Sequence, residues 1–146
     1  MGRFYRYQCE SCGFEEEYHI GGGFFSEEYI EETVALNQKL ESDIKEGKYG
    51  ILLQAMAQAD ERHELFYDCG EDLFQCDSCR TLIVCRGKMV CNKKYQFQAK
   101  YEISAEIDMP CPECSDGILN RVVNYFAMCP KCKKELLKLC SLGFFD

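Results

Sequence analysis

Four CxxC pairs, one helical apolar stripe and several alternating aromatic runs predict a small α+β protein of antiparallel hairpins with a helical segment between them. The chain has 146 residues, of which 47% are apolar and 13% aromatic, a globular composition. A compact chain of this length buries roughly 68–70% of its unfolded surface, enough for a core of its own.

Residues 3–8, Arg3-Phe4-Tyr5-Arg6-Tyr7-Gln8, are dense in aromatics and predict a strand running into Cys9. Cys9-Glu10-Ser11-Cys12-Gly13 follows as a knuckle, with Gly13 where the turn needs a residue free of Cβ strain. The acidic run Glu15-Glu16-Glu17 leads to Gly21-Gly22-Gly23, which reads as a turn; an anion-binding nest of the P-loop kind would need a following Lys-Ser/Thr. A helix is predicted from Ser26, a capping hydroxyl followed by Glu27 and Glu28, with Ile30, Val34, Leu40 and Ile44 along one stripe and Gly47 as its stop. Residues 50–61 contain Ile51, Leu52, Leu53, Ala55, Met56 and Ala59 without proline and predict a second, shorter helix. The pattern then changes to strand, with Leu65-Phe66-Tyr67, a turn at Asp68-Cys69-Gly70, and Leu73-Phe74 entering Cys76. Thr81-Leu82-Ile83-Val84 and the alternation Tyr95, Phe97, Ala99, Tyr101, Ile103 predict further strands of a small antiparallel sheet. Beyond Pro110, Ile118-Leu119 and Val122 to Phe126 lie between knuckles as hairpin strands, and a short helix is predicted from Lys133 to Leu139. The organisation expected is two zinc-ribbon units, 1–92 with a helical insertion at about 26–61, and 93–146.

The cysteines carry the chemistry. Cys9/Cys12, Cys76/Cys79, Cys111/Cys114 and Cys129/Cys132 are four CxxC knuckles. Two intervening residues let both sulfurs of a pair reach one tetrahedral ion at about 2.3 Å, and a second pair closes the shell. Four knuckles therefore predict two four-cysteine sites and two Zn²⁺ ions. Only 14 residues separate Cys114 from Cys129, near the spacing of a single-hairpin zinc site, so Cys111/Cys114 are expected to join Cys129/Cys132. Cys9/Cys12 then join Cys76/Cys79 across 63 residues, which is acceptable because closure entropy grows only logarithmically with length. The rival arrangement joins Cys76/Cys79 to Cys111/Cys114 and leaves the first and last knuckles to meet, at the loss of the short hairpin.

A redox dithiol is the competing reading of any one CxxC, but four in one chain with no βαβ pattern argue against a thiol-disulfide oxidoreductase. Cys69, Cys85, Cys91 and Cys140 fit no knuckle spacing and read as small buried apolar residues; His19 and His63 read as surface or packing residues. The N-terminal MGRFYRYQCESCG has no apolar stretch of a secretory signal, and a cytoplasmic, reducing setting makes metal ligation a better use of twelve cysteines than disulfides. No membrane span is expected.

The net charge is −8, unevenly spread. Residues 1–75 carry 6 basic and 17 acidic side chains, a net of −11, whereas 76–146 carry 11 and 8, a net of +3. Acidity weakens a case for general nucleic-acid binding, which rests on Lys and Arg neutralising phosphates. Lys131, Lys133, Lys134 and Lys138 read as a solvated face in preference to a phosphate contact.

Tyr5-Arg6-Tyr7-Gln8-Cys9-Glu10-Ser11-Cys12-Gly13 resembles the N-terminal knuckle of FmdB-type bacterial zinc-ribbon proteins, where an aromatic strand enters CxxCG, and the later knuckles resemble general zinc-ribbon and rubredoxin-like ones. The resemblance implies metal ligation by Cys9, Cys12, Cys76 and Cys79. No open metal position, cofactor loop or nucleophile–base pair is evident, so the expectation is a non-enzymatic adaptor or regulatory module whose partner is another protein. The alternative is a nucleic-acid-associated ribbon using residues 93–146, with Arg121, Lys131, Lys133, Lys134 and Tyr125.

Overall fold

The computed structural model describes residues 2–21, 27–93 and 102–145. The expectations for Gly22, Gly23, Ser26, Tyr95, Phe97, Ala99 and Tyr101 fall outside them. In chain order the elements are β1 (Gly2–Gln8), β2 (Glu15–Ile20), α1 (Glu27–Lys45), α2 (Ile51–Gln58), β3 (Leu65–Asp68), β4 (Glu71–Cys76), β5 (Leu82–Arg86), β6 (Met89–Asn92), β7 (Glu102–Glu106), β8 (Met109–Pro110), β9 (Ile118–Arg121) and β10 (Lys138–Phe145). Two helices and mostly antiparallel strands make the described fold α+β, as predicted.

Two compact units form, neither continuous in sequence. One comprises Met1–Ser26, Glu71–Arg86 and Asp108–Asp146; the other comprises Glu27–Gly70 and Gly87–Ile107. These boundaries follow a different line from the expected division at residue 92, because β3 pairs with β6 and β4 with β5, so the 65–92 segment folds back on itself and belongs to both units.

The first unit holds two sheets, ordered β10-β1-β2 and β5-β4-β9-β8. In β2 the acidic run alternates with the core: Tyr18 and Ile20 are buried while Glu15, Glu17 and His19 face outward. That strand is a finding, since three consecutive glutamates hide its period-2 pattern. The apolar core gathers Tyr5, Tyr7, Tyr18, Ile20, Leu73, Leu82, Ala127 and Leu137 around Cys9 and Cys129, and a smaller cluster packs Phe74 and Leu119 around Cys76 and Cys111.

The second unit packs α1 and α2 with the sheet β3-β6-β7. Its centre is Leu40, Ile44, Ala57, Cys69 and Val90. Gly47 stops α1 as predicted: at φ +81 it donates its N–H to the Ile44 carbonyl at 3.0 Å. The apolar stripe is only half used, because Ile30 and Val34 are exposed while Leu40 and Ile44 are buried. α2 is shorter than predicted. Asp60 withdraws the chain from helix by accepting the Glu64 and Leu65 N–H groups at 2.9 and 3.0 Å.

Two local expectations are corrected. Residues 122–126 are not a strand: the Phe126 N–H donates to the Val123 carbonyl, and Asn124 and Tyr125 both have positive φ, 54° and 64°. Residues 133–139 are not a helix. Lys133 has φ 57° and closes the last knuckle, a left-handed step that stops a helix at its first residue, and β10 begins at Lys138.

Candidate metal centres

All four knuckles share one backbone device. The residue after the second cysteine donates its N–H to the carbonyl of the first: Gly13 to Cys9, Arg80 to Cys76, Ser115 to Cys111 and Lys133 to Cys129, at 2.9 to 3.2 Å. Each of these four residues has positive φ, between 57° and 71°. Only the first is glycine, so sequence inspection finds one such turn where the structure has four. The first cysteine of each pair is buried and the second half-buried. Every first-cysteine N–H is also bonded, to Phe14 and Thr81 five residues on, or to Gly117 and Glu135 six residues on. One knuckle of each kind meets at each site.

The sulfurs converge in two groups, Cys9-Cys12-Cys129-Cys132 and Cys76-Cys79-Cys111-Cys114, each with its four Sγ atoms within 4.8 Å of one another. This corrects the pairing. The first knuckle meets the last, and the two middle knuckles meet each other. Cys9 to Cys132 is 3.8 Å, Cys12 to Cys129 3.6 Å, Cys76 to Cys114 3.6 Å and Cys79 to Cys111 3.8 Å. A tetrahedron with metal–sulfur bonds of about 2.3 Å has edges of about 3.8 Å, so both cages have the size a tetrahedral thiolate ion needs. They are far too wide for S–S bonds, and all of these cysteines are free. Each group of four is thus fit to hold a metal ion in a zinc-ribbon-like arrangement.

Backbone N–H groups are aimed at the buried sulfurs: those of Ser78 and Cys79 point at Cys76 Sγ at 3.3 and 3.4 Å, and that of Cys132 at Cys129 Sγ at 3.5 Å. Hydrogen bonding with the Thr81 hydroxyl, 3.2 Å from its sulfur, is the main cause holding Cys79 down to about 6. The Lys134 and Glu135 amides bring Cys132 to about 7, and the amides of Phe14 and Asp116 lower Cys12 and Cys114. Cys9 is pulled down most by the Cys12 amide, but burial and neighbouring sulfurs outweigh it and push it up to about 11. Desolvation is the leading cause of the same rise, to about 11, at Cys111. Without a cation each site is therefore split between thiolate and thiol, as four sulfurs at these distances require.

Supporting residues escaped sequence reading. Gly117 is one: a Cβ there would overlap Cys76 Sγ and crowd Ser78 and Asp77. Gln75 is another. Its amide donates to the Arg80 and Met128 carbonyls and accepts the Met128 N–H, all at 2.8 Å, tying a knuckle of one cage to the approach of the other. No sequence signal marks Gln75; the Gly before Ile118 was visible without a reason for it.

The remaining candidates belong to neither group of four sulfurs. Cys69 and Cys91 are buried in the second unit and Cys85 packs, half-buried, against the cluster of Phe74, Cys76, Cys111 and Leu119, as core residues; Cys140 alone departs from that expectation, being exposed on β10. His19 lies 2.8 Å from Glu17 at the surface, and His63 sits in the turn after α2. Among the described residues no helix is long and apolar enough to cross a membrane. No family model, curated protein or solved structure matches the chain, so the FmdB-type likeness rests on the nine residues that carry it.

Proposed function

We propose that the chain holds two Zn²⁺ ions as structural centres and acts without catalysis as a protein-interaction module. The observation that carries this is the closed shell: four cysteine sulfurs at tetrahedral spacing in each cage leave no open position for water or substrate. Sulfur-only tetrahedral sites take zinc or iron, and with every ligand contributed by the chain the ion serves folding. The interaction reading is supported by the acidic excess of residues 1–75 and by Ile51 and Leu52 on α2, exposed at 77% and 84%. The two are neighbours in sequence and offer adjoining apolar side chains for a partner to cover. The nucleic-acid alternative is weakened by the ion pairing of one of its cations, Arg121, 3.8 Å from Asp72.

Elemental analysis with native mass spectrometry tests the metal. Two zinc ions per chain are expected, and a folded chain without transition metal overturns it. Absorption spectroscopy at the metal edge separates structural from catalytic roles, since an oxygen or nitrogen ligand would open the shell. For the interaction role, Ile51→Ser/Leu52→Ser should abolish partner crosslinking in cells while metal content stays at two. Binding of RNA at low salt would replace this reading with the nucleic-acid one.

A further inference from the structure

The first unit also contains a cavity of about 230 Å³ that the metal cages do not use. Arg3, Tyr5 and Tyr7 of β1, Asp72 of β4, Arg121 of β9 and Tyr125 of the following turn line it. We propose that it binds a small oxyanion, a carboxylate or phosphate group on a compact organic body. The reading goes beyond structural zinc and requires only that the unit be folded.

Tyr7 is the first reason. Its side chain is wholly buried, yet its hydroxyl has no hydrogen-bond partner. Buried polar groups are rarely left so, and a phenylalanine would fill the same space without the loss. Tyr7 lines the cavity together with Tyr5, Tyr125 and Asp72.

The turn at 123–126 is the second. Asn124 and Tyr125 take the paired positive φ values of a type I′ turn, where asparagine suits the first position and glycine the second. A tyrosine in the second position carries strain that glycine would relieve, and strain of this kind collects at functional sites. Its effect here is to bring the Tyr125 ring to 5.5 Å from Tyr5, completing a wall of phenols.

Charge selects the ligand. Two arginines line the cavity with one aspartate, whose Oδ1 accepts the Leu73 N–H at 2.9 Å while Oδ2 lies 3.8 Å from Arg121. The excess is positive, and phenols and guanidinium groups both donate to an oxyanion. The volume falls below the roughly 300–1,000 Å³ of pockets for drug-sized ligands, so the guest is small. The larger groove of about 570 Å³ in the second unit has no such orphan among the described residues, and its Asp60 is already taken by backbone amides.

The test titrates the metal-loaded, nitrogen-15-labelled full chain with benzoate, phenyl phosphate and inorganic phosphate, with neutral benzamide as control. Saturable amide shifts at Tyr5, Tyr7 and Arg121 to Tyr125 are expected with at least one anion and none with benzamide. Response to benzoate alone assigns a carboxylate; response to either phosphate probe alone assigns a phosphate. Tyr7→Phe and Arg3→Gln should each weaken binding about tenfold or more at unchanged metal content. Tyr125→Gly should raise thermal stability and lose binding. No saturable shift with any anion, equal binding of benzamide, or full affinity in both Tyr7→Phe and Arg3→Gln would overturn the proposal; Arg3 is exposed, so its variant reports even if Tyr7→Phe fails to fold.

Discussion

Double substitutions distinguish the observed pairing of knuckles from its sequential rival. Cys9→Ser/Cys129→Ser removes two ligands from one cage, and Cys9→Ser/Cys76→Ser removes one from each. The first variant should keep one tightly held zinc; the second should keep none with a full thiolate shell. The sequence separation bridged is 117 residues from Cys12 to Cys129 and 32 from Cys79 to Cys111. Closing such loops costs about 4.2 and about 3.1 kcal/mol by the logarithmic rule. A structural zinc supplies roughly 10–16 kcal/mol of apparent binding energy coupled to folding, as much as a typical domain's whole stability. Loss of one ion should therefore strip amide protection from the strands around its own cage, while the core of Leu40, Ile44, Ala57 and Val90 contains no knuckle cysteine and should keep its protection. Native mass spectrometry reads the stoichiometry and hydrogen exchange the protection. One tight ion in Cys9→Ser/Cys76→Ser, with none in Cys9→Ser/Cys129→Ser, would refute the arrangement.

Zinc uptake should be strongly pH-dependent. Only thiolates bind, and with Cys9 and Cys111 pushed up to about 11, loading at neutral pH must expel their protons. Affinity should climb from pH 6 towards 9, because fewer protons then have to be displaced from the thiols. The lowered Cys79 acts in the same direction on the metal-free fold: its contribution is full above the ordinary thiol value and is lost as pH falls through about 6. Calorimetry in buffers of different ionisation enthalpy counts the protons, and uptake without release would contradict this. Gly117→Ala drives a methyl into the Cys76 sulfur and should release the ion of that cage at lower chelator concentration, with the other ion retained longer. Gln75→Ala leaves the Met128 N–H without its acceptor and should cost about 1–3 kcal/mol in denaturant unfolding, although the hydrogen bonds of the Gln75 amide all go to backbone groups and none to a cysteine sulfur.

Much of this fold is legible from residue type. CxxC spacing identifies all eight sulfurs of the two cages, because two intervening residues are a local property of the chain. The aromatic strand into Cys9, the helix after Glu27 and the stop at Gly47 are local too. What sequence reading misses depends on tertiary demand. Lys133 looks like the start of a helix, yet the sulfur it follows requires a left-handed step. Glu15-Glu16-Glu17 shows no alternation that marks a strand, yet β1 offers it an edge and Tyr18 and Ile20 reach the core. Ile30 and Val34 share a stripe with Leu40 and Ile44 but find no neighbour among the described residues to bury them.

The pairing is the most instructive miss, and magnitudes explain it. Joining knuckles in sequential order closes loops of 64 and 15 positions, Cys12 to Cys76 and Cys114 to Cys129, at about 6.1 kcal/mol together. The nested order closes 117 and 32 at about 7.3 kcal/mol. Sequential closure is thus favoured by only about 1.2 kcal/mol, a preference that loop length presents as strong because 15 is so much smaller than 117. Bringing the last knuckle to the first lets β10 pair with β1 along all seven residues of Gly2–Gln8, and places Leu137 in the cluster with Tyr7 and Cys9. Burying one leucine stabilises by roughly 1.5–3 kcal/mol, so that single side chain exceeds the whole entropic advantage of the shorter hairpin.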